Sequence, residues 1–238
     1  MKIYYRISNN SYKKNRLSNA TKQHCLNNFL QEFDRSENTI SIIADNVTDS
    51  ELDKFIDSKC KHNIIRENTK LNNAKSFRHC LRRACTETDD TENVYFAEDD
   101  YLYLPNAFNY LKEGLTISDY VTLYDHPDKY LNAIDGGNPQ IEDHGEITRV
   151  VITPSIHWKL TNSTTGTFGV RGKTIKQDKN IWEKYFSESY GIDYEACCEL
   201  IQVHGRSLIS CIPGKSTHCE MPWLAPLTNG VPPKPPTV

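Results

Sequence analysis

The sequence predicts an α/β fold: a mostly parallel central sheet with helices on both faces, and a mixed C-terminal half. Three observations lead there. Through residues 1–104, short β-branched and aromatic runs alternate with segments of helical spacing, the pattern of strand–helix–strand units. One apolar run, Val94 to Ala97, passes directly into three carboxylates, Glu98, Asp99 and Asp100, so a buried strand ends in a cluster of acids. Beyond Asp100 the alternation gives way to paired strands and a long polar stretch.

Lys2 to Ser8 reads as the first strand, and the polar, basic segment Asn9 to Asn19 as a loop. Ala20 to Phe33 places Cys25, Leu26, Phe29, Leu30 and Phe33 on one helical face. Thr39 to Ala44 is an apolar strand that ends at Asp45. Thr48 to Ser50 offer cap residues for a helix over Glu51 to Ser58. His62 to Arg66 reads as a short third strand. Asn72 to Cys85 carries Ala74, Phe77, Leu81 and Ala84 at helical spacing. Past the acids, Asn106 to Leu115 predicts a helix and Asp119 to Tyr124 a strand. His126 to Asp143, with Gly136, Gly137 and Pro139, predicts a surface excursion. Thr148 to Thr153 and Ser155 to Leu160 predict an antiparallel pair, and Thr165 to Val170 a further strand. Asp178 to Phe186 and Tyr194 to Val203 read as helices. Ser207 to Pro213 closes the strand set before Gly214 to Cys219. The division expected is one domain over residues 1–225, in two halves at 1–104 and 105–225. An extended proline-rich tail follows at 226–238.

Composition narrows the function classes. The chain has 238 residues, 37% hydrophobic and 10% aromatic, enough for a substantial core. A formal charge of −3 gives no bulk attraction to nucleic acid or to an anionic membrane. No apolar run has the length of a membrane span. The opening Met-Lys-Ile-Tyr-Tyr-Arg has no secretory apolar region, which points to the cytoplasm. Eight cysteines at irregular spacings, none in a Cys-x-x-Cys pair, do not form a disulfide scaffold or a structural zinc site. Cys25, Cys80, Cys85, Cys197 and Cys211 fall in apolar segments, where a free thiol packs as a small hydrophobe.

Three adjacent acids repel one another, so a fold that gathers them supplies a cation or strong donors; a hard divalent ion prefers such oxygen ligands. A solvated strand end is the plainer alternative. In open α/β sheets, ligands sit beyond the carboxyl ends of strands where strand order reverses. Asp45, Arg66 and Glu98 to Asp100 are all expected at such ends, lining one crevice. Asp45 suits a nucleobase N–H or a ribose hydroxyl, and equally a turn. Arg6 suits phosphate or a base, and equally an ion pair. Asn73 and Ser76 open the third helix, whose N-terminus favours anions, though the same residues would serve as caps.

Four stretches together resemble the GT-A nucleotide-sugar glycosyltransferases, particularly small bacterial and phage-type members. They are Tyr4-Tyr-Arg-Ile-Ser8 with Thr21 to Leu30; Ile42-Ile-Ala-Asp-Asn46; Glu98-Asp-Asp100, in the place of the DxD metal motif; and Ile209 to His218, similar to the closing strand and its late histidine. The triplet departs from a strict DxD because its first member is glutamate. The resemblance implies a metal-dependent glycosyltransferase, with a nucleotide-binding half at 1–104 and an acceptor-binding half at 105–225. Asp100 and His218 would hold Mn2+ (or Mg2+). Arg6, Asp45, Arg66, Asn73, Glu98 and Asp99 would face a UDP- or GDP-linked donor. Asp193 or Glu195 would act as base, and His157, Trp158 and Thr165 would face a saccharide acceptor. The rival readings are a metal-dependent phosphohydrolase or nuclease and a non-catalytic nucleotide-sugar-binding module.

Overall fold

The computed structural model describes residues 1–9, 14–187 and 191–228. Of the tail expected at 226–238, residues 229–238 lie outside the described residues.

Eleven strands and six helices occur among the described residues: β1 (Lys2–Ile7), α1 (Lys22–Phe33), β2 (Thr39–Asp45), α2 (Ser50–Asp57), β3 (Ile64–Thr69), α3 (Asn73–Glu87), β4 (Asn93–Glu98), β5 (Tyr101–Tyr103), α4 (Ala107–Ile117), β6 (Tyr120–Thr122), β7 (Val150–Ile152), β8 (His157–Leu160), β9 (Phe168–Arg171), α5 (Gly172–Tyr185), α6 (Asp193–Gln202), β10 (Leu208–Ile212) and β11 (Ser216–His218). Nine strands form one sheet in the order β3-β2-β1-β4-β9-β6-β10-β8-β7. The first four are parallel. β9 then runs antiparallel to both β4 and β6 and joins the two halves.

Side chains alternate across this sheet with the period of two that a strand imposes. Ile3, Tyr5 and Ile7 of β1 meet Leu26, Phe29 and Phe33 of α1 on one face, together with Leu52 of α2 and Leu111 of α4. Tyr4, between them, meets the opposite face, where Phe77 of α3, Trp182 of α5 and Leu200 of α6 pack. Helices therefore cover both faces, and the strands read as nearly continuous apolar runs because both sides are buried. The eight cysteines are free, and Cys25, Cys80, Cys197, Cys211 and Cys219 are buried. Among the described residues, no helix is long and apolar enough to cross a membrane.

The elements depart from the sequence reading at several points. β3 runs on to Thr69, so Arg66 stands opposite Ile42 in mid-strand and not at a strand end. α5 begins at Gly172, six residues before Asp178, because Lys173 to Gln177 continue the helix directly from β9. β5 and β11 form an antiparallel pair of three residues each, with His218 opposite Tyr101. Asn28 of α1 supports this pair. Its side chain accepts from Tyr103 N at 2.6 Å and donates to Tyr103 O at 3.0 Å.

Candidate active site

The chain runs outward from β1 through β2 to β3, then returns to the other side of β1 as β4. Strand order therefore reverses between β1 and β4, and the carboxyl ends of these two strands carry Arg6 and Glu98 in register. The acidic triplet follows immediately.

Each acid meets a cation from elsewhere in the chain. Glu98 is paired with Arg6, which also donates to Asn73 O (2.8 Å) and Asn73 Oδ1 (3.1 Å) at the start of α3. Asp99 accepts from Lys22 Nζ at 2.6 Å and from the Ser8 backbone at 2.7 Å. Asp100 Oδ2 lies 3.2 Å from both Arg16 Nη2 and His218 Nε2. The backbone carries His218 there, since Cys219 N donates to Asp100 O at 2.8 Å. The expected meeting of Asp100 with His218 is thus present, through the β5–β11 pair.

Burial shapes the protonation of this cluster. It pushes the Glu98 carboxyl up, with Arg6 pulling only partly against it. It likewise raises Asp99 against the pull of Lys22. For Asp100 burial also pushes upward, but His218, Lys22 and Arg16 outweigh it and hold the acid well below the carboxylate range. Burial lowers the His218 imidazolium; Asp100 and then Glu98 more than reverse this, and the net shift is upward.

The fit to a divalent cation rests on one orphan atom. Asp100 Oδ1 is buried and has no hydrogen-bond partner, while its carboxylate and an imidazole nitrogen converge. Asp100 and His218 are the two side chains that would hold such an ion. Among the described residues no group of three His, Cys, Asp or Glu side chains converges as a metal cage. Arg16 stands on the same carboxylate as a competing cation.

A turn from the C-terminal half closes on this cluster. Thr165 and Gly166 have positive φ, at 50° and 74°. A Cβ on Gly166 would lie 2.9 Å from Glu98 Oε1, so glycine permits both the backbone conformation and the approach. Tyr101 donates to Thr165 O at 2.9 Å. Asp193 Oδ2 accepts from Thr165 N (2.6 Å), Thr164 N (3.2 Å) and Thr164 Oγ1 (3.2 Å). Asp193 is the first residue of α6, whose N-cap is Ile192, and its carboxylate clamps the neighbouring turn.

Other expected site residues sit elsewhere or are already partnered. Asp45 accepts from Leu71 N (2.7 Å) and Thr69 Oγ1 (2.8 Å), the bonds of a turn. Arg66 is bound to Asp53 and Asp57 of α2, away from the crevice. Trp158 is fully buried and donates to Thr153 Oγ1 at 2.9 Å, so its face offers no surface for a sugar. The physical reason is α4: a Cβ on Gly114 would come within 2.8 Å of the indole, so the helix lies directly on it. His157 is exposed but stands on β8, four strand positions from β4. Glu195 is exposed on α6. Lys22, Arg16 and Gly166 were not singled out from sequence; Thr165 and Gly166, read there as the start of a strand, form a turn, and β9 begins only at Phe168.

No protein-family model matches the chain, and no curated protein sequence matches it. Solved structures do match. One is assigned as a nucleotide-diphospho-sugar transferase of Desulfovibrio desulfuricans, with TM-score 0.51 and 12% identity over 88% of this chain and 78% of that one. Another is assigned as a glucose-1-phosphate thymidylyltransferase of Bacillus anthracis, with TM-score 0.53 and 11% identity over 91% and 89%. The chain shares the GT-A-like α/β fold of these structures. The galactosyltransferase LgtC, solved with donor and acceptor sugar analogs, matches at TM-score 0.46 and 9% identity over 84% of this chain and 69% of its own.

Proposed function

We propose that this protein is a transferase acting on nucleotide-linked sugars, and that it moves the sugar to a hydroxyl acceptor with the help of a divalent cation. The observation that supports this is the convergence of Asp100 and His218 at the strand-order reversal of a GT-A-like sheet, with one Asp100 oxygen buried and unpartnered.

Breaking the bond between a sugar and a nucleoside diphosphate leaves negative charge on the departing phosphate. Asp100 and His218 would hold such a cation, which would supply positive charge against that phosphate. Arg6 holds Glu98 and the first residue of α3 together, which fixes the side of the crevice nearest β1. Lys22 keeps Asp99 compensated, so that the site does not accumulate three unpaired acids. Asp193 holds the Thr164–Gly166 turn against Glu98, which keeps the acceptor side closed on the donor side. Mn2+ suits an oxygen-plus-imidazole set somewhat better than Mg2+.

The test is incubation with UDP- and GDP-linked sugars and Mn2+, reading release of free nucleoside diphosphate, with the Asp100→Ala variant alongside. Release by the wild type and its loss in the variant supports the reading; equal release by both overturns it. The likeness to a thymidylyltransferase favours a second reading, nucleotidyl transfer, which would release pyrophosphate from a nucleoside triphosphate and a sugar phosphate.

A further inference from the structure

Trp158 is closed off, yet the crevice has another aromatic face. A ladder of rings runs outward from the acidic cluster. Tyr101 lies 5.1 Å from His218 and 5.5 Å from Tyr124, centroid to centroid. Tyr124 meets His126 at 5.0 Å, and His126 meets Trp223 at 5.3 Å with the rings tilted 45°. The inner rings, Tyr101, Tyr124 and His218, are buried, whereas His126 and Trp223 are partly exposed. The ladder thus begins beside Asp100 and surfaces at an indole.

The segments that carry both outer rings are held by hydrogen bonds. Tyr124 donates its hydroxyl proton to Trp223 O, and Trp223 N donates to Glu220 O at 2.7 Å. Ala225 N donates to Thr217 Oγ1 at 2.8 Å, which ties the same segment to β11. His126 Nδ1 accepts from Asp128 N at 3.1 Å, and the turn that carries Asp128 is anchored by the buried Lys129, bound to Asn162. A partly exposed indole with a polar imidazole beside it is a surface that a pyranose ring fits. Its C–H face lies on the indole, and its hydroxyls reach the imidazole and the solvent.

The position selects the occupant. His126 follows β6, which lies three strand positions from β1 in the sheet. A donor nucleoside at the β1–β2 side would stand across Asp100 from this platform. From this arrangement we infer that Trp223 and His126 form the acceptor subsite, and that the acceptor is a saccharide whose sugar ring stacks on the Trp223 indole. The inference rests on the nucleotide-sugar reading for the word acceptor; saccharide binding itself is measured separately.

Trp158 and Trp182 are both 0% exposed, so a ligand-dependent change in tryptophan emission reports on Trp223. The protein is titrated with lactose, maltose and cellobiose, and in separate arms with uridine, UDP and GDP. A saturable emission shift with at least one disaccharide is expected. Trp223→Ala should abolish it. His126→Ala should weaken the binding, read by calorimetry, by about tenfold, equivalent to ~1.4 kcal/mol. Trp223→Phe keeps a smaller ring and the backbone bonds; it serves as the folded control and should retain weakened binding. No shift with any disaccharide, unchanged binding by Trp223→Ala, or a shift with uridine alone overturns the subsite. Disaccharide binding without binding of UDP, GDP or any UDP- or GDP-linked sugar supports the platform while overturning the nucleotide-sugar reading. Diphosphate release from a nucleotide sugar without disaccharide binding does the reverse.

Discussion

Asp193 Oδ2 accepts the Thr165 backbone N–H at 2.6 Å, and Thr165 O in turn accepts from Tyr101. A carboxylate at the start of the last helix therefore holds a left-handed turn whose other side abuts the acidic strand end. Its working oxygen is occupied by three donors, which suits a clamp. Asp193→Ala removes their acceptor and is expected to cost about 1–3 kcal/mol of folding stability, measured by denaturant unfolding. Asp193→Asn keeps an acceptor oxygen, so the melting midpoint and most of the turnover should persist. A fall in turnover of roughly 10²–10⁴ at an unchanged midpoint would instead assign Asp193 the role of general base.

Gly166 is where the two halves touch. At φ 74° an added methyl is strained, and it also meets Glu98 within 3 Å of both the carboxylate carbon and one oxygen. Gly166→Ala is expected to destabilise the fold by about 1–2 kcal/mol through backbone conformation alone. Because Glu98 must shift, the Arg6 contact should loosen, and nucleotide-sugar turnover should fall by more than the stability loss explains. Thermal melting and steady-state kinetics on one preparation separate the two effects.

The strands and helices of the N-terminal half were legible because their periods are strong and local. β1, β2, α1 and α3 are found within two or three residues of their expected ends. β5 and β11 escaped because three residues are too few to show a period, and each is made a strand by the other. Arg66 was misplaced because β3 continues through Glu67, Asn68 and Thr69, polar residues that only pairing with β2 holds extended. Trp158 looked like a platform because burial of an outer strand depends on whether a helix covers it, and that depends on a glycine far away at position 114. The pairs Arg16–Asp100 and Lys22–Asp99 bridge long sequence separations, so no local pattern announced them. His218 was marked by the family resemblance, since a histidine in a Lys-Ser-Thr-His stretch carries no signal of its own.

Arg16 competes with any cation for Asp100, since its Nη2 lies 3.2 Å from Oδ2. Removing it should therefore strengthen metal binding. Arg16→Ala is expected to tighten Mn2+ affinity by about tenfold, equivalent to ~1.4 kcal/mol, close to the low end for a hydrogen bond to a charged group. Calorimetric titration of wild type and variant with Mn2+ measures this directly. Weaker binding in the variant would mean that Arg16 orders the carboxylate for the ion and does not oppose it.

The acid limb of stability should carry the mark of Glu87. Arg83 donates to both of its oxygens, at 2.7 and 3.0 Å, and Tyr4 donates at 3.2 Å. The Arg83 hydrogen bonds hold this carboxyl below its ordinary value of 4.5, more than burial raises it. A folded-state value below the unfolded one means the unfolded chain binds the proton more readily, so acid favours unfolding. The contribution is complete above about pH 4.5, shrinks as pH falls through the lowered folded-state value, and is gone below it. Glu87→Gln removes the titrating group. Unfolding free energy followed from neutral pH into the acid range should fall less steeply in the variant than in the wild type, and parallel acid limbs would show that the Arg83–Glu87 pair contributes nothing to the pH dependence.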